Sequence, residues 1–408
     1  MYDKINMEKA GFGLVILFLL CYFMMLFDFP NLLTFLLGAF VCLILFIKHK
    51  KLRLSIGACL LIITIFFYYT IVYGMQNAVI MGLPYVGILM YFLGDYLICE
   101  VKTWKNSNRL IMILMFSLVL GFTIHGFLNS YMFLAGYRTE TGRHWYDFWM
   151  NIYLPATEQV IYFLPILSMI FPAIVYWKKG KMESALILAS SIFFIYLSWI
   201  SDSRMPIFIF PMVFAAQLIL YLILEREKVK ELFVKNRKLI ALMLITGAVI
   251  LFAVLFTDNP VISILKEKLG RDGGILGSDR FVAQRLALQQ LFKYPMGGNH
   301  MELGRVNYAH NTWLDMANRA GLIPFFAFTA YTILTVYEMI RWLMQKEIPT
   351  ERKIITAGIY LAFFLYYTVE RGIEGSMHFM TPWFFMNGMV HGELSIMKEK
   401  INDYKGQS

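Results

Sequence analysis

The chain has 408 residues, 59% of them hydrophobic and 16% charged, with a formal net charge of +10. A soluble domain of this length could not hide so much apolar surface, so a soluble globular fold is excluded. The positive balance sits in short clusters between apolar blocks, a pattern that sets membrane topology rather than one that binds nucleic acid.

The apolar blocks set the architecture. About twenty such residues, as a helix, cross the roughly 30 Å hydrocarbon layer. The blocks predict about twelve transmembrane helices, at 11–27, 31–47, 54–73, 78–98, 110–132, 160–177, 184–200, 205–224, 239–256, 320–340, 354–369 and 377–393. The last carries His378, Pro382, Asn387 and His391 and is the weakest. Strands of a β-barrel would be shorter and alternating, and no such pattern is present. No small-residue cleavage site follows the first span, because Phe27-Asp28-Phe29-Pro30 is bulky, so it is expected to remain a span. Residues 1–408 therefore read as a single polytopic membrane domain, an all-α integral membrane protein without internal repeats. Cys21, Cys42, Cys59 and Cys99 lie in or beside spans, so no disulfide or thiolate metal site is expected outside the membrane.

Lys and Arg fix the expected orientation. One set of segments is basic: the N-terminus (Lys4, Lys9), Lys48 to Arg53, 99–109, Lys178 to Lys181, 225–238, Arg341 to Lys353 and the C-terminal tail. The alternate short loops hold Arg204 alone, Arg371 alone or neither residue type. Both termini are thus expected in the cytoplasm. Two loops on the other side are long, 133–159 and 257–319. The second, between spans nine and ten, is the large extracytoplasmic loop and the only soluble-looking stretch of any size.

In that loop, Asp279 to Phe292 reads as a helix with Ser278 as N-cap. Its Phe281, Leu288 and Phe292 share a face that suits the membrane or the bundle. Lys293-Tyr294-Pro295-Met296-Gly297-Gly298 makes a turn. A second helix is expected to start with Asn311 as N-cap and to run on into the span at 320–340. His310 then sits just before a helix N-terminus, which disfavours imidazolium and leaves a neutral base. The same helix end attracts anions. Arg280, Arg285 and Arg305 share the loop, and Arg204 opens a neighbouring outer end. Guanidinium groups bind diphosphate oxygens in bidentate fashion. These arginines could equally pair with Asp272, Asp279 or Glu302, and a lone loop histidine is often structural. His300 competes with His310, but the glycines before it suggest a mobile turn.

These pieces carry a resemblance. Ser201-Asp202-Ser203-Arg204, Arg280 to Phe292, Tyr294-Pro295-Met296-Gly297-Gly298, Ala309-His310-Asn311-Thr312-Trp313-Leu314 and Arg319-Ala320-Gly321-Leu322 follow one another along about a third of the chain. In that order they resemble the bacterial O-antigen polymerase and O-antigen ligase superfamily. Asp202 and Met205 depart from the small residues usual around the first Arg, and Pro324 stands where a second Gly is common.

The resemblance implies a glycosyltransferase at the outer face of the bacterial cytoplasmic membrane, acting on undecaprenyl-diphosphate-linked oligosaccharide repeat units. It implies His310 as catalytic base and Arg204, Arg280 and Arg285 as diphosphate-binding residues, with no metal and no cofactor. Partners would be the lipid-linked glycan, membrane lipids and, in such a pathway, a flippase and a chain-length regulator. Polymerisation of O-antigen, capsular or exopolysaccharide units is preferred. A ligase-type transfer, or a flippase for the same units, is the alternative. Paired halves and charges at mid-membrane depth would favour a transporter, and the span centres are almost uncharged.

Two further clusters remain open. Glu370 and Arg371, with Glu374 and His378, end spans eleven and twelve and suit either a glycan site or a simple pair. Aromatic residues of 133–159 suit either sugar stacking or the membrane interface.

Overall fold

The computed structural model describes residues 2–26, 32–49, 54–75, 86–102, 104, 106–201, 203, 205–227, 279–372 and 377–406. Within these the chain is all-α apart from one small ribbon. The first helices are α1 (Tyr2–Phe23), α2 (Leu32–His49), α3 (Ile56–Tyr73), α4 (Val86–Lys102) and α5 (Ser107–Leu134). A two-stranded antiparallel ribbon follows, β1 (His144–Tyr146) and β2 (Tyr153–Pro155), with Trp145 opposite Leu154. Next come the short α6 (Ala156–Gln159), α7 (Leu164–Leu167) and α8 (Ile170–Val175). Then come the long α9 (Lys181–Ile200) and α10 (Met205–Leu224). The last five are α11 (Asp279–Gln290), α12 (Thr312–Ala320), α13 (Leu322–Leu343), α14 (Thr350–Val369) and α15 (Met377–Gly406).

Four described helices, α3, α5, α9 and α13, are long and apolar enough to cross a membrane, and a bent pair of segments makes up to five. Their outward faces are apolar. Leu120 is 50% exposed, Leu186 61% and Ile333 66%. In water such surface would drive association, whereas against lipid tails it is matched. The protein is an all-α membrane protein in these terms.

The bent pair is where the chain departs from the expected span at 160–177. The segment 156–162 meets 164–175 at 56°. Pro165 sits in the first turn of α7 and cannot continue an α-helix from the residues before it, so the span is broken there. Its residues are nonetheless packed inside the bundle. The final span, weakest on composition, lies within one long helix, α15. Three of its polar side chains have partners: Tyr22 donates to Thr381 at 2.8 Å, Asn387 donates to Tyr331 at 2.9 Å, and His391 Nδ1 meets Glu338 at 2.8 Å. The expected span at 239–256 and the loop segment 257–278 lie outside the described residues.

The innermost contact is α4 against α15, and it depends on small residues. A Cβ at Gly388 would run into the carbonyl oxygen of Tyr91, and one at Gly392 into Asp95. From the other side, a Cβ at Gly94 would strike the carbonyl of Phe385. Gly388 and Gly392 are four apart on one helix face, so the two backbones touch along a stripe. The sequence reading passed over this stripe. Gly388→Leu is expected to lower the melting temperature of detergent-purified protein, because overpacking a closed interface costs about 1–3 kcal/mol or more. Gly11→Ala, with nothing within 4 Å of the added atom, serves as the neutral control.

Candidate functional site

The segment 279–321 folds as a small unit on one end of the bundle. Its own core holds Ala283, Ala287, Leu291, Met301, Leu303, Ala309, Leu314 and Ala317. Alanines on α11 let it lie close to the loop, while Phe281, Leu288 and Phe292 face outward, 39%, 58% and 71% exposed. Of that face, Phe292 lies 6.5 Å from the Phe326 ring of α13, so its edge meets the bundle while the rest stays open.

The Pro-x-Gly-Gly turn has a clear mechanical role. Gly298 N donates to Arg319 O and Asn299 N to Asn318 O, both at 2.9 Å. Leu322 N donates to Pro295 O at 2.9 Å. The turn thus occupies the carbonyls at the end of α12, which stops there at Gly321 with φ +81°. A Cβ at Gly321 would collide with Pro295 O. The expected continuous helix from Asn311 into the span is therefore two helices, α12 and α13, broken at this glycine. The expected mobile turn at Gly297 to Asn299 is docked, and His300 beside it is exposed.

Asn311 is the N-cap, as its position predicts. Its side chain accepts from Leu314 N at 3.1 Å, and its amide donates to Thr368 O at 3.1 Å. His310 just before it has φ +51°, a left-handed conformation that a non-glycine side chain adopts at a cost. Asp315 enforces it. One carboxylate oxygen accepts from Ala309 N at 2.5 Å and the other from Asn311 N at 3.1 Å, so both amides flanking His310 are held. Gln284 donates to His310 O at 3.1 Å and to Thr368 O at 3.2 Å, tying α11, the loop and the end of α14 together. Burial pushes the Asp315 carboxyl up to about 6, against the pull of these two amides. Sequence reading missed Asp315. Its signal was an acidic residue in the first turn after a good N-cap.

The His310 ring is buried, and it approaches Glu370, whose side chain is 2% exposed. Nδ1 lies 3.5 Å from one carboxylate oxygen. The other oxygen takes the Arg280 guanidinium at 2.7 Å. Arg280 also donates to Val369 O at 3.1 Å and stays one-third exposed. The backbone fixes Glu370 further, since its carbonyl accepts from Thr312 Oγ1, which in turn accepts from Gly372 N, both at 2.9 Å. The guanidinium of Arg371 lies 4.5 Å over the Tyr308 ring, and that ring is 4.1 Å from His310.

The electrostatics follow from this geometry. Burial lowers the His310 pKa below the ordinary imidazole value, outweighing the opposing pull of the Glu370 carboxylate, and Arg280 lowers it further. The direction agrees with the expected preference for the neutral imidazole, but its leading cause is burial rather than the helix end. Burial alone would raise the Glu370 carboxyl, yet His310 and Arg280 together hold it below its usual value. A neutral imidazole, a carboxylate and a partly open guanidinium can orient a hydroxyl and hold an anion. Among the described residues no group of three metal-ligating side chains stands close enough to hold a metal ion.

Of the residues singled out in the sequence, Arg280, His310, Glu370 and Arg371 come together. Arg285 is exposed on another side of α11. Arg204 lies outside the described residues, as do Asp272, Ser278 and Glu374. The observed carboxylate partner of Arg280, Glu370, is 90 positions away and had been grouped with a different cluster. In 133–159, Trp145 is fully buried and packs 4.4 Å from Phe133. It therefore meets neither lipid headgroups nor sugar. Asp147 there anchors the loop to α5, taking His125 Nε2 at 3.0 Å and Asn129 at 2.8 Å. These bonds, led by His125, outweigh burial and bring the Asp147 carboxyl down to about 2.

No family model and no curated protein matches the chain.

The Asp315 tether is testable without any assay of activity. Asp315→Asn can accept from only one of the two amides, and losing a buried hydrogen bond costs about 1–3 kcal/mol. Hydrogen exchange at Ala309 and Asn311 is expected to accelerate about 10- to 100-fold. Unchanged protection in purified protein would assign the left-handed His310 to other contacts.

Proposed function

We propose that the protein is a membrane glycosyltransferase resembling the O-antigen polymerase and ligase superfamily. It polymerises undecaprenyl-diphosphate-linked oligosaccharide repeat units at the outer face of the bacterial cytoplasmic membrane. The observation that supports this most is one cluster. Three segments far apart in sequence meet to hold a buried neutral histidine in a strained backbone beside a partly open arginine. Strain and a lowered imidazole pKa at one residue fit a catalytic base better than a structural histidine. In this reading about twelve spans cross the membrane, both termini are cytoplasmic and 257–319 is outside.

The chemistry is a displacement. The acceptor hydroxyl oxygen of one repeat unit attacks the anomeric carbon of the glycan on another lipid. A carbon–oxygen bond forms there, and the bond from that carbon to the diphosphate oxygen breaks. The hydroxyl proton passes to His310 Nε2, and the diphosphate leaves with the electron pair. Arg280, with Arg204, stabilises the departing charge. Arg371 and Tyr308 line the approach and suit a sugar face. The lipid-linked glycan is substrate and partner, and no metal or cofactor enters the reaction. A flippase supplies the unit, and a chain-length regulator acts on the product.

A second reading has one observation in its favour. Inside the bundle, Arg352 pairs with Glu393 at 2.5 Å, and His391 with Glu338 at 2.8 Å. Buried charge of this kind also occurs in transporters. Purified protein given lipid-linked units in detergent separates the two, since a flippase makes no polymer there.

His310→Ala is expected to lower polymerisation about 10²–10⁴-fold. The membrane level should stay normal and the single lipid-linked unit should accumulate. His300→Ala should leave chain length as it was. Arg280→Lys should impair the reaction nearly as much as Arg280→Ala, because the bidentate fork is lost. The active imidazole is the neutral one and its pKa is lowered, so kcat/KM should hold as pH falls and drop only below about 6.5. Normal chains from His310→Ala would remove it as the base.

The orientation has its own check. A cysteine at position 272 should react with an impermeant reagent in intact cells, and one at position 235 should not. The opposite pattern would invert the topology.

A further inference from the structure

The Glu370 carboxylate meets Arg280, His310 and the Thr157 hydroxyl, and its contacts with the first two are unequal. Its carboxylate is tight on Arg280 at 2.7 Å and loose on His310 at 3.5 Å. His310 Nδ1 and the Glu370 oxygen facing Arg280 are both buried without a hydrogen-bond partner among the described residues, so the contact with Arg280 is an ion pair and that with His310 is left open. An imidazole that takes a proton at Nε2 works best when Nδ1–H is held by an acceptor, which sets the tautomer and stabilises the cation formed. That acceptor is present but drawn away. Arg280, meanwhile, is the guanidinium that would meet an anionic substrate, and its charge is already spent on Glu370.

We propose that Glu370 is a counter-ion displaced by substrate. In the empty site it closes Arg280, and when a diphosphate takes the guanidinium, the carboxylate shifts onto Nδ1–H of His310. This rests on the glycosyltransferase reading and names how its anion site and its base are linked. The movement required is under an ångström, from 3.5 Å to a normal hydrogen bond. The backbone need not follow, because Thr312 holds the Glu370 carbonyl independently. The base is then complete only behind a bound anion, so water and stray hydroxyls meet an unassisted imidazole. Glu370 is a positioning residue in this scheme, acting through His310.

Other charged groups near the pair are Glu158 on α6, Arg371 after α14, and Asp315 on α12, with Tyr308 beside the ring. None bridges Arg280 and His310 as Glu370 does.

The test uses purified full-length protein and inorganic pyrophosphate as probe, with titration calorimetry as readout. Glu370→Gln keeps the shape and removes the competing charge. Its pyrophosphate Kd should fall about tenfold or more, the scale of one charge-assisted hydrogen bond. With lipid-linked units its KM should fall too, while kcat drops about tenfold to a hundredfold as the imidazole loses its anchor. A merely structural role would raise KM or lower the amount of folded protein instead. Arg280→Gln gives an independent arm, at a side chain that is partly exposed. With the guanidinium gone, Glu370 should settle on His310. The pH at which the peptide containing His310 becomes reactive to diethyl pyrocarbonate should then rise relative to the parent. An unchanged or lower reactivity pH overturns the shift, whether or not Glu370→Gln folds. Pyrophosphate that binds both proteins equally overturns the exchange alone. Pyrophosphate that binds neither overturns the anion site itself, and the exchange with it.

Discussion

A carboxylate buried as deeply as Glu370 has to be neutralised where it stands, and this end of the bundle is arranged around that requirement. An ion of this size loses several kcal/mol of hydration on burial. Here Arg280 and His310 supply the compensation from two segments that are distant in sequence. The pair is not a strong source of stability, since apolar residues of similar volume would often hold such a site as well. Its effect is on specificity of placement. The docking of the 279–321 unit that puts Arg280 over the end of α14 also brings the His310 loop to Glu370.

The small unit can hold this docking because it has a core of its own. Alanines on α11 bring that helix close to Leu303 and Met301, and the Pro-x-Gly-Gly turn locks the far end of α12. With both ends of the His310 loop fixed, Asp315 can impose a left-handed backbone on a residue that resists it. The cost of about 1–3 kcal/mol is spread over contacts that do not touch the ring. The ring is left with little freedom, and preorganisation of that sort is what a general base needs.

The parts of this arrangement that were legible in the sequence were the local ones. Apolar blocks and Lys/Arg alternation are properties of short windows, and so is the N-cap at Asn311. His310 and Arg280 stood out because their residue types are rare in an otherwise apolar chain. What could not be read was pairing across distance. Glu370 read as the end of a span with Arg371, and nothing local pointed to Arg280. Continuity was overestimated at Gly321 and at Pro165, where a single residue breaks an apolar run that hydropathy averages over. In the loop 133–159, Trp145 and Asp147 are buried through contacts that no short window shows, while Tyr137 and Tyr153 stay half-exposed.

The helix that presents Glu370 also shows why the far end of the bundle bears on the site. Arg352, in the first turn of α14, pairs with Glu393 of α15, which also meets Lys102 at 2.5 Å and accepts from Trp342 at 2.9 Å. Arg352 reaches Asn108 of α5 at 2.8 Å as well. Four helices are thus pinned to the start of α14, about 27 Å from Glu370 at 1.5 Å per residue. A slip of one residue would turn Glu370 by about 100° away from His310. Between the two ends, α15 is held to α4 by the contact through Gly388 and Gly392, which leaves no slack for such a slip. The buried charges at this end, on which a transport reading would rest, therefore have a sufficient mechanical role. They set the register of the helix whose last turn carries the carboxylate.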